Sequence, residues 1–310
     1  EKHGYDTSDG DTGNKDAAPF KDQNPVDIFG MCRRASAFAA QQKSEGRPFF
    51  IQLSFHALHY PQNASPKNTA KYKKALPRGN PKEIGRGALT SDLDEGVGKL
   101  LFELNQLGLD ENTYIVYVSD NGGGGSKQGI VRGGKGSLYE GGIRVPMIVR
   151  GPGVAAGSWS HERVVGFDLV PTFCSLAGVK FEPDAGIEGV DLSSLWTGKA
   201  PILKPREHKG IGFHFPHYQG SPPQSAWFSG DFKLIRNYET GTESLYRITD
   251  DLAEAKDLAS QEPEIRDHLS ASLNAWLKQV EAEIPSKNQA ADPSKTGIWK
   301  KGGGVKRRKK

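Results

Sequence analysis

The chain has 310 residues, 35% of them hydrophobic and 25% charged, with 38 glycines and 19 prolines. This is enough apolar material for a proper core, and with so many turn residues it suits a loop-rich soluble enzyme better than a helical bundle or a disordered chain. The net charge is +4, but residues 301–310 (KGGGVKRRKK) carry six positive charges, so the body is close to neutral; the basic run reads as a solvated tail, and no nucleic-acid partner is expected.

Residues 1–16 (EKHGYDTSDGDTGNKD) are polar and contain no apolar leader. The Asp9-Gly-Asp11 spacing does not continue into the alternating ligands of a calcium loop and reads as a turn cluster. Residues 27–42 (DIFGMCRRASAFAAQQ) place Ile28, Met31, Ala35, Phe38 and Ala39 at helical spacing, with Cys32 inside the helix. Residues 48–55 (PFFIQLSF) form a short apolar run, expected to be a buried strand that releases His56, His59, Tyr60 and Pro61 at its carboxyl end. Residues 62–88 are polar and rich in Lys and Pro, a surface excursion able to shape a substrate mouth. Leu93, Val97, Leu100, Leu101, Leu104 and Leu107 mark a helix, with Ser91 as its expected cap and Gly108 as its stop.

The next stretch organises the rest: residues 113–146, TYIVYVSDNGGGGSKQGIVRGGKGSLYEGGIRVP. A run of Tyr, Ile and Val suited to a sheet breaks into Asp120, Asn121 and four glycines, so oxygen donors stand where a strand ends, the usual place for ligands in an open α/β sheet. A carboxylate and an amide oxygen on adjacent residues suit a hard cation, calcium or else magnesium. Lys135 lies among Gly133, Gly134 and Gly136, where an anion can approach ammonium and backbone closely. Together they describe an anion clamp; the alternative is an Asp-Asn-Gly turn and a solvated lysine. Residues 129–135 (GIVRGGK) imitate part of a nucleotide-binding P-loop, but Gly136 replaces the magnesium-holding Ser or Thr. The following SLYEGGIRVP cannot continue as the required helix, so ATP and GTP are rejected.

A strand over residues 146–150 and a helix over 168–177 (DLVPTFCSLA), which contains Cys174, extend a strand-helix-strand pattern into a doubly wound α/β core. Beyond residue 200 the texture changes to short strands at 225–228, 232–236 and 244–248, with turns at Gly230-Asp231 and Gly241. A closing helix starts near Pro263 and aligns Ile265, Leu269, Leu273, Trp276, Leu277 and Val280. His214 and His217, in GFHFPHY, stand at the entrance to this part. No stretch approaches the roughly 18 apolar residues of a membrane span. Two cysteines make no disulfide framework.

The run SDNG, then GGKGSLYEGGIRVP and MIVRGPG, closely resembles the central and carboxyl-terminal motifs of the type I sulfatases of the alkaline-phosphatase-like superfamily. The likeness extends upstream through PFFIQLSFHALHYP and downstream through DLVPTFCSLAG and GDFKLIRNYETGTESLYRITDDLAEAKDLA, to about residue 285. It implies a doubly wound mixed α/β sheet over residues 1–200 and a smaller antiparallel α+β subdomain over 201–287, followed by the basic tail 288–310. It implies that calcium, or magnesium, is held by Asp120 and Asn121, that Lys135 neutralises the sulfate group and that His59 protonates the leaving oxygen. His214 and His217 would stand near the substrate pocket, although histidines beside aromatics also serve packing. In this family the nucleophile is a formylglycine made from the cysteine of Cys-x-Pro-x-Arg. Cys32 is followed by Arg33, Arg34 and Ala35, and Cys174 fails the same test, so the formylglycine is expected upstream of this chain and the chain alone is expected to be inactive. The resemblance further implies a sulfated small molecule or glycan as partner and a periplasmic or secreted location. The alternatives are a phosphoester hydrolase of the same superfamily and a noncatalytic module that binds sulfated glycans.

Overall fold

The computed structural model describes residues 4–8, 27–123, 130–181, 187–200, 203, 206, 208–286 and 289. The Asp9-Gly-Asp11 cluster and the basic tail lie outside them. The chain divides into two compact units, Glu1–Tyr114 and Ile115–Lys310, described here one at a time.

The first unit is helical. α1 (Ile28–Ser44) and α2 (Pro66–Ala75) both pack on α3 (Pro81–Gln106). α1 buries Ile28, Cys32, Ala35 and Ala39 at three- and four-residue spacing, as its pattern predicts. Ile28 meets Leu89 and Leu93 of α3, with Phe55, Ala57, Ala64 and Val97 packed around them. α1 crosses so closely over Gly96 that a Cβ there would lie 2.5 Å from Ile28 Cγ2, and Gly87 likewise admits the ring of Tyr72 from α2.

Two expectations are corrected here. α3 begins ten residues before Ser91, because Asn80 and Glu83 form a reciprocal capping box with Pro81 in the first turn. Ser91 is therefore interior, and its hydroxyl donates to Tyr72 Oη. Gly108, in the left-handed region at φ +62°, ends the helix as expected. Residues 48–55 belong to no ladder among the described residues. Their side chains alternate between half-buried and exposed as a strand's do, but no neighbouring backbone pairs with them, and Phe50 stays 56% exposed.

In the second unit, β1 (Ile115–Val118) pairs with β2 (Met147–Arg150) in antiparallel register, Val116 opposite Val149. Among the described residues of the segment joining these strands, the regular element is one turn of helix, α4 (Glu140–Ile143). α5 (Leu169–Leu176) and α6 (Ser193–Trp196) follow. Buried Asp168 ties this region together, taking Val165 and Val190 N–H groups and both Nη atoms of Arg206 at 2.7 Å.

The carboxyl-terminal part is a four-stranded antiparallel meander, β3 (Ile211–Phe215), β4 (Gln224–Ser229), β5 (Phe232–Asn237) and β6 (Thr242–Arg247). The last three match expectation within two residues at each end; β3 was not anticipated as a strand. Alternation gives the sheet two apolar faces. One carries Trp227, Leu234 and Leu245 and is covered by Leu269, Leu273 and Leu277 of α7 (Pro263–Gln279). The other carries Ala226, Phe228, Ile235 and Tyr246, and against it packs the loop that follows Lys135, through Leu138, Tyr139 and Ile143. The chain is therefore of the mixed α/β class with antiparallel sheets.

Candidate functional site

β1 ends at Val118, and Asp120 and Asn121 follow, Asp120 exposed and Asn121 half-buried. Ser119 Oγ donates to the Asn121 carbonyl and Asn121 Nδ2 donates to the Gly122 carbonyl at 2.8 Å, so the Asn121 amide nitrogen is occupied and its Oδ1 is left as an acceptor. The next contacts join two loops. Gly122 N–H donates to Gly142 O at 2.9 Å, and Lys135 N–H donates to Gly123 O at 3.1 Å. A Cβ on Gly122 would lie 2.1 Å from the Gly141 carbonyl, and one on Gly142 2.0 Å from that of Ser137. Only bare backbone permits this approach, so the glycines of the motif are what let the loop bearing Lys135 close on the segment after Asn121. Lys135 is exposed.

The sheet holds this loop from behind. Ser221 Oγ donates to the Gly136 carbonyl, Leu138 N–H donates to Gln224 Oε1, and the carbonyl of Gln219 fills the space a Cβ of Gly136 would need. Deeper in, Lys233 of β5 reaches Glu140 Oε1 at 3.0 Å and Glu254 Oε1 at 2.8 Å, with Glu140 N–H on Glu254 Oε2 at 2.7 Å. All three side chains are buried. Burial opposes ionisation of Glu140, but the Lys233 ammonium and Arg144 guanidinium overcome it and hold its pKa below the usual carboxylate value. At Glu254 burial prevails over Lys233 and the pKa is raised. Sequence reasoning missed this triad. Its signal was a lysine between Phe232 and Leu234 in a strand that otherwise buries apolar side chains.

His214 makes both ring nitrogens over to the scaffold, Nδ1 2.7 Å from Ser225 Oγ and Nε2 3.0 Å from Glu283 O, which is the packing role. His217 is exposed, its ring 4.1 Å from that of Phe215, two residues before the Gln219–Ser221 brace. His59 belongs to the first unit and is exposed, its Nδ1 2.7 Å from the Tyr60 carbonyl. Neighbouring His56, 5.2 Å away between ring centres, has a pKa lowered first by burial and then by the His59 imidazole. Cys32 is buried and its thiol is pushed up to about 11, mainly by burial, which keeps it protonated and unreactive.

Asp120 and Asn121 offer hard oxygen ligands at one corner, right for calcium or magnesium, but calcium takes six to eight ligands. Among the described residues no group of three or more His, Cys, Asp or Glu converges. The pair therefore fits as part of a set.

The sulfatase family model matches residues 5–179, and the model of the N-sulphoglucosamine sulphohydrolase carboxyl-terminal region matches residues 134–283. The chain belongs to the sulfatase family. It is 36% identical to human arylsulfatase A over 192 residues, covering 57% of this chain and 35% of the relative. It is 31% identical to a sulfatase of Formosa agariphila over 282 residues, covering 82% of this chain and 48% of that one. The crystal structure of Ps i-CgsB in complex with k-i-k-neocarrahexaose superposes with a TM-score of 0.73 at 27% identity, over 84% of this chain and 56% of that chain. The chain thus spans about half the length of such relatives or less, and its fold is of the alkaline-phosphatase-like type.

Proposed function

We propose that the whole protein hydrolyses sulfate esters, with the described part of this chain supplying the cation-binding corner and the lysine that receives the sulfate. The observation that supports this reading is the backbone hydrogen bond from Lys135 N–H to Gly123 O, which ties the loop bearing Lys135 to the segment two residues after Asn121. Family membership supplies the reaction class.

In this mechanism Asp120 Oδ and Asn121 Oδ1 would hold calcium as part of a larger ligand set, and the cation would supply positive charge against the sulfate oxygens. Lys135 Nζ neutralises a further sulfate oxygen and lowers the cost of bringing an anionic ester to a nucleophile. His59 gives a proton to the departing alcohol or phenol oxygen, a task suited to an imidazole near neutral pH. The nucleophile in this reading would be a formylglycine hydrate made from a Cys-x-Pro-x-Arg cysteine, a pattern in which neither Cys32 nor Cys174 stands. The reading extends to a periplasmic or secreted location. No helix among the described residues is long and apolar enough to cross a membrane.

The test is turnover of an aryl sulfate against an aryl phosphate by the protein extended upstream to include Cys-x-Pro-x-Arg and matured to formylglycine. Hydrolysis of the sulfate, lost in Lys135→Ala, is expected, with no turnover by residues 1–310 alone. Preference for the phosphate overturns the reading.

A further inference from the structure

Residues 62–88 hold seven lysines and arginines against one glutamate, whereas in the rest of the body, excluding the terminal run, acidic residues outnumber basic ones. Its Glu83 is already committed to capping α3. The positive charge of the body is therefore concentrated on one short segment.

That segment is a fixed platform rather than a loose loop. Ser65 caps α2, and buried Asp92 accepts the Ser65 N–H and hydroxyl, both at 2.6 Å, and Asn68 Nδ2 at 2.8 Å. On α2, Lys67, Lys71 and Lys74 recur at intervals of four and three and share one exposed face, while Lys73 is exposed on another side of the helix and Arg78 in the turn that follows it. Lys67 is shared with Glu95 at 3.1 Å, but among the described residues no carboxylate lies within ion-pair distance of Lys71, Lys73, Lys74 or Arg78.

The geometry selects the kind of ligand. Neighbours on a helix face stand about 5–6 Å apart at Cβ, and the row from Lys67 to Lys74 rises about 10 Å. A row of that length extends beyond a single tetrahedral anion and matches anions repeated along a polymer. Tyr72, the one aromatic of α2, is turned onto Gly87, so the helix presents no exposed ring for stacking nucleic-acid bases. We propose that α2 and the turn to Arg78 form a docking surface for a sulfated polysaccharide. This rests on the sulfatase reading and narrows its substrate class to a polymer bearing several sulfates.

The experiment measures binding without turnover, so that failure of catalysis and failure of docking are read separately. The full chain is titrated with dextran sulfate, unsulfated dextran and duplex DNA at rising salt. It is compared with Lys71→Gln/Lys73→Gln/Lys74→Gln/Arg78→Gln and, because the terminal run is also basic, with Lys306→Gln/Arg307→Gln/Arg308→Gln/Lys309→Gln/Lys310→Gln. The helix variant is expected to bind dextran sulfate at least about tenfold more weakly and with a flatter salt dependence, as removal of polyanion contacts requires. Lys71→Arg/Lys74→Arg, which keeps the charge, is expected to bind like the parent, and unsulfated dextran not at all. Unchanged binding by the helix variant, loss seen only in the tail variant, or tighter binding of DNA than of dextran sulfate overturns the proposal.

Discussion

The ammonium of Lys233 stands 3.0 Å from the carboxylate of Glu140, both shut away from water, and this one pair joins the loop that carries Lys135 to the middle of the carboxyl-terminal sheet. Removing one member strands the other charges in a low dielectric. Lys233→Met leaves Glu140 and Glu254 buried without their cation and is expected to cost about 3–5 kcal/mol in denaturant unfolding. The triple replacement Lys233→Met/Glu140→Gln/Glu254→Gln, which buries no charge, should recover most of that loss. A triple variant as unstable as the single one refutes the account.

The same pair makes stability depend on pH. Glu140 titrates below the ordinary value of about 4.5, so its contribution is fully present above that value and is lost as pH falls through the lower folded value. Glu254 titrates above 4.5, so its ionisation costs stability as pH rises through its raised value. Between pH 7 and 3, Glu140→Gln should lose less stability than the parent on acidification below about 4.5. Glu254→Gln should fall off more steeply, because it lacks the protonation that favours the folded state. Parallel curves for all three proteins would show that the carboxylates do not titrate as argued.

Gly136 tests the bracing of the lysine loop. It sits at φ +87°, and an added Cβ would lie 1.7 Å from the Gln219 carbonyl, a rigid backbone atom. Gly157 has a similar φ of +70° with nothing within 4 Å. Gly157→Ala should cost about 1–2 kcal/mol, the left-handed penalty alone. Gly136→Ala should cost more, and in the upstream-extended enzyme it should reduce turnover beyond what its melting temperature explains. Equal effects of the two substitutions would mean the Gln219 contact is not tight.

Removal of metal is the remaining check on the oxygen corner. Chelation should abolish turnover of an aryl sulfate by the matured protein, with calcium or magnesium restoring it. Asp120→Asn should raise the metal concentration needed for half recovery by about tenfold or more, the loss of one charged ligand. Recovery at the parent's concentration would remove Asp120 from the ligand set.

Helices α1, α5 and α7, the last three strands of the closing meander and the polar residues after β1 were legible because each rests on a local signal: apolar spacing in the helices, glycine at Gly230 and Gly241, and polar residues directly after β1; α2 was not, since its lysine-rich sequence reads as a surface excursion. What escaped was set by distant partners. The apolar run at 48–55 carries a strand's alternation, but a ladder needs a second backbone that no local pattern reveals. The early start of α3 was hidden because Gly85 and Gly87 weaken helix propensity; Gly87 is there to admit Tyr72. The Lys233 triad draws its members from residues 140, 233 and 254, a separation at which charge pairing cannot be read along the chain. His214 looked available in sequence and is committed in space to Ser225 and Glu283.

A sheet sheathed on one side by α7 and on the other by the Lys135 loop has a consequence for protein engineering. A splice near residue 200 would part the loop from the strands against which it is seated. Chimaeras between relatives should therefore exchange residues 115–286 as a single cassette, and libraries that recombine within it should be depleted of folded members.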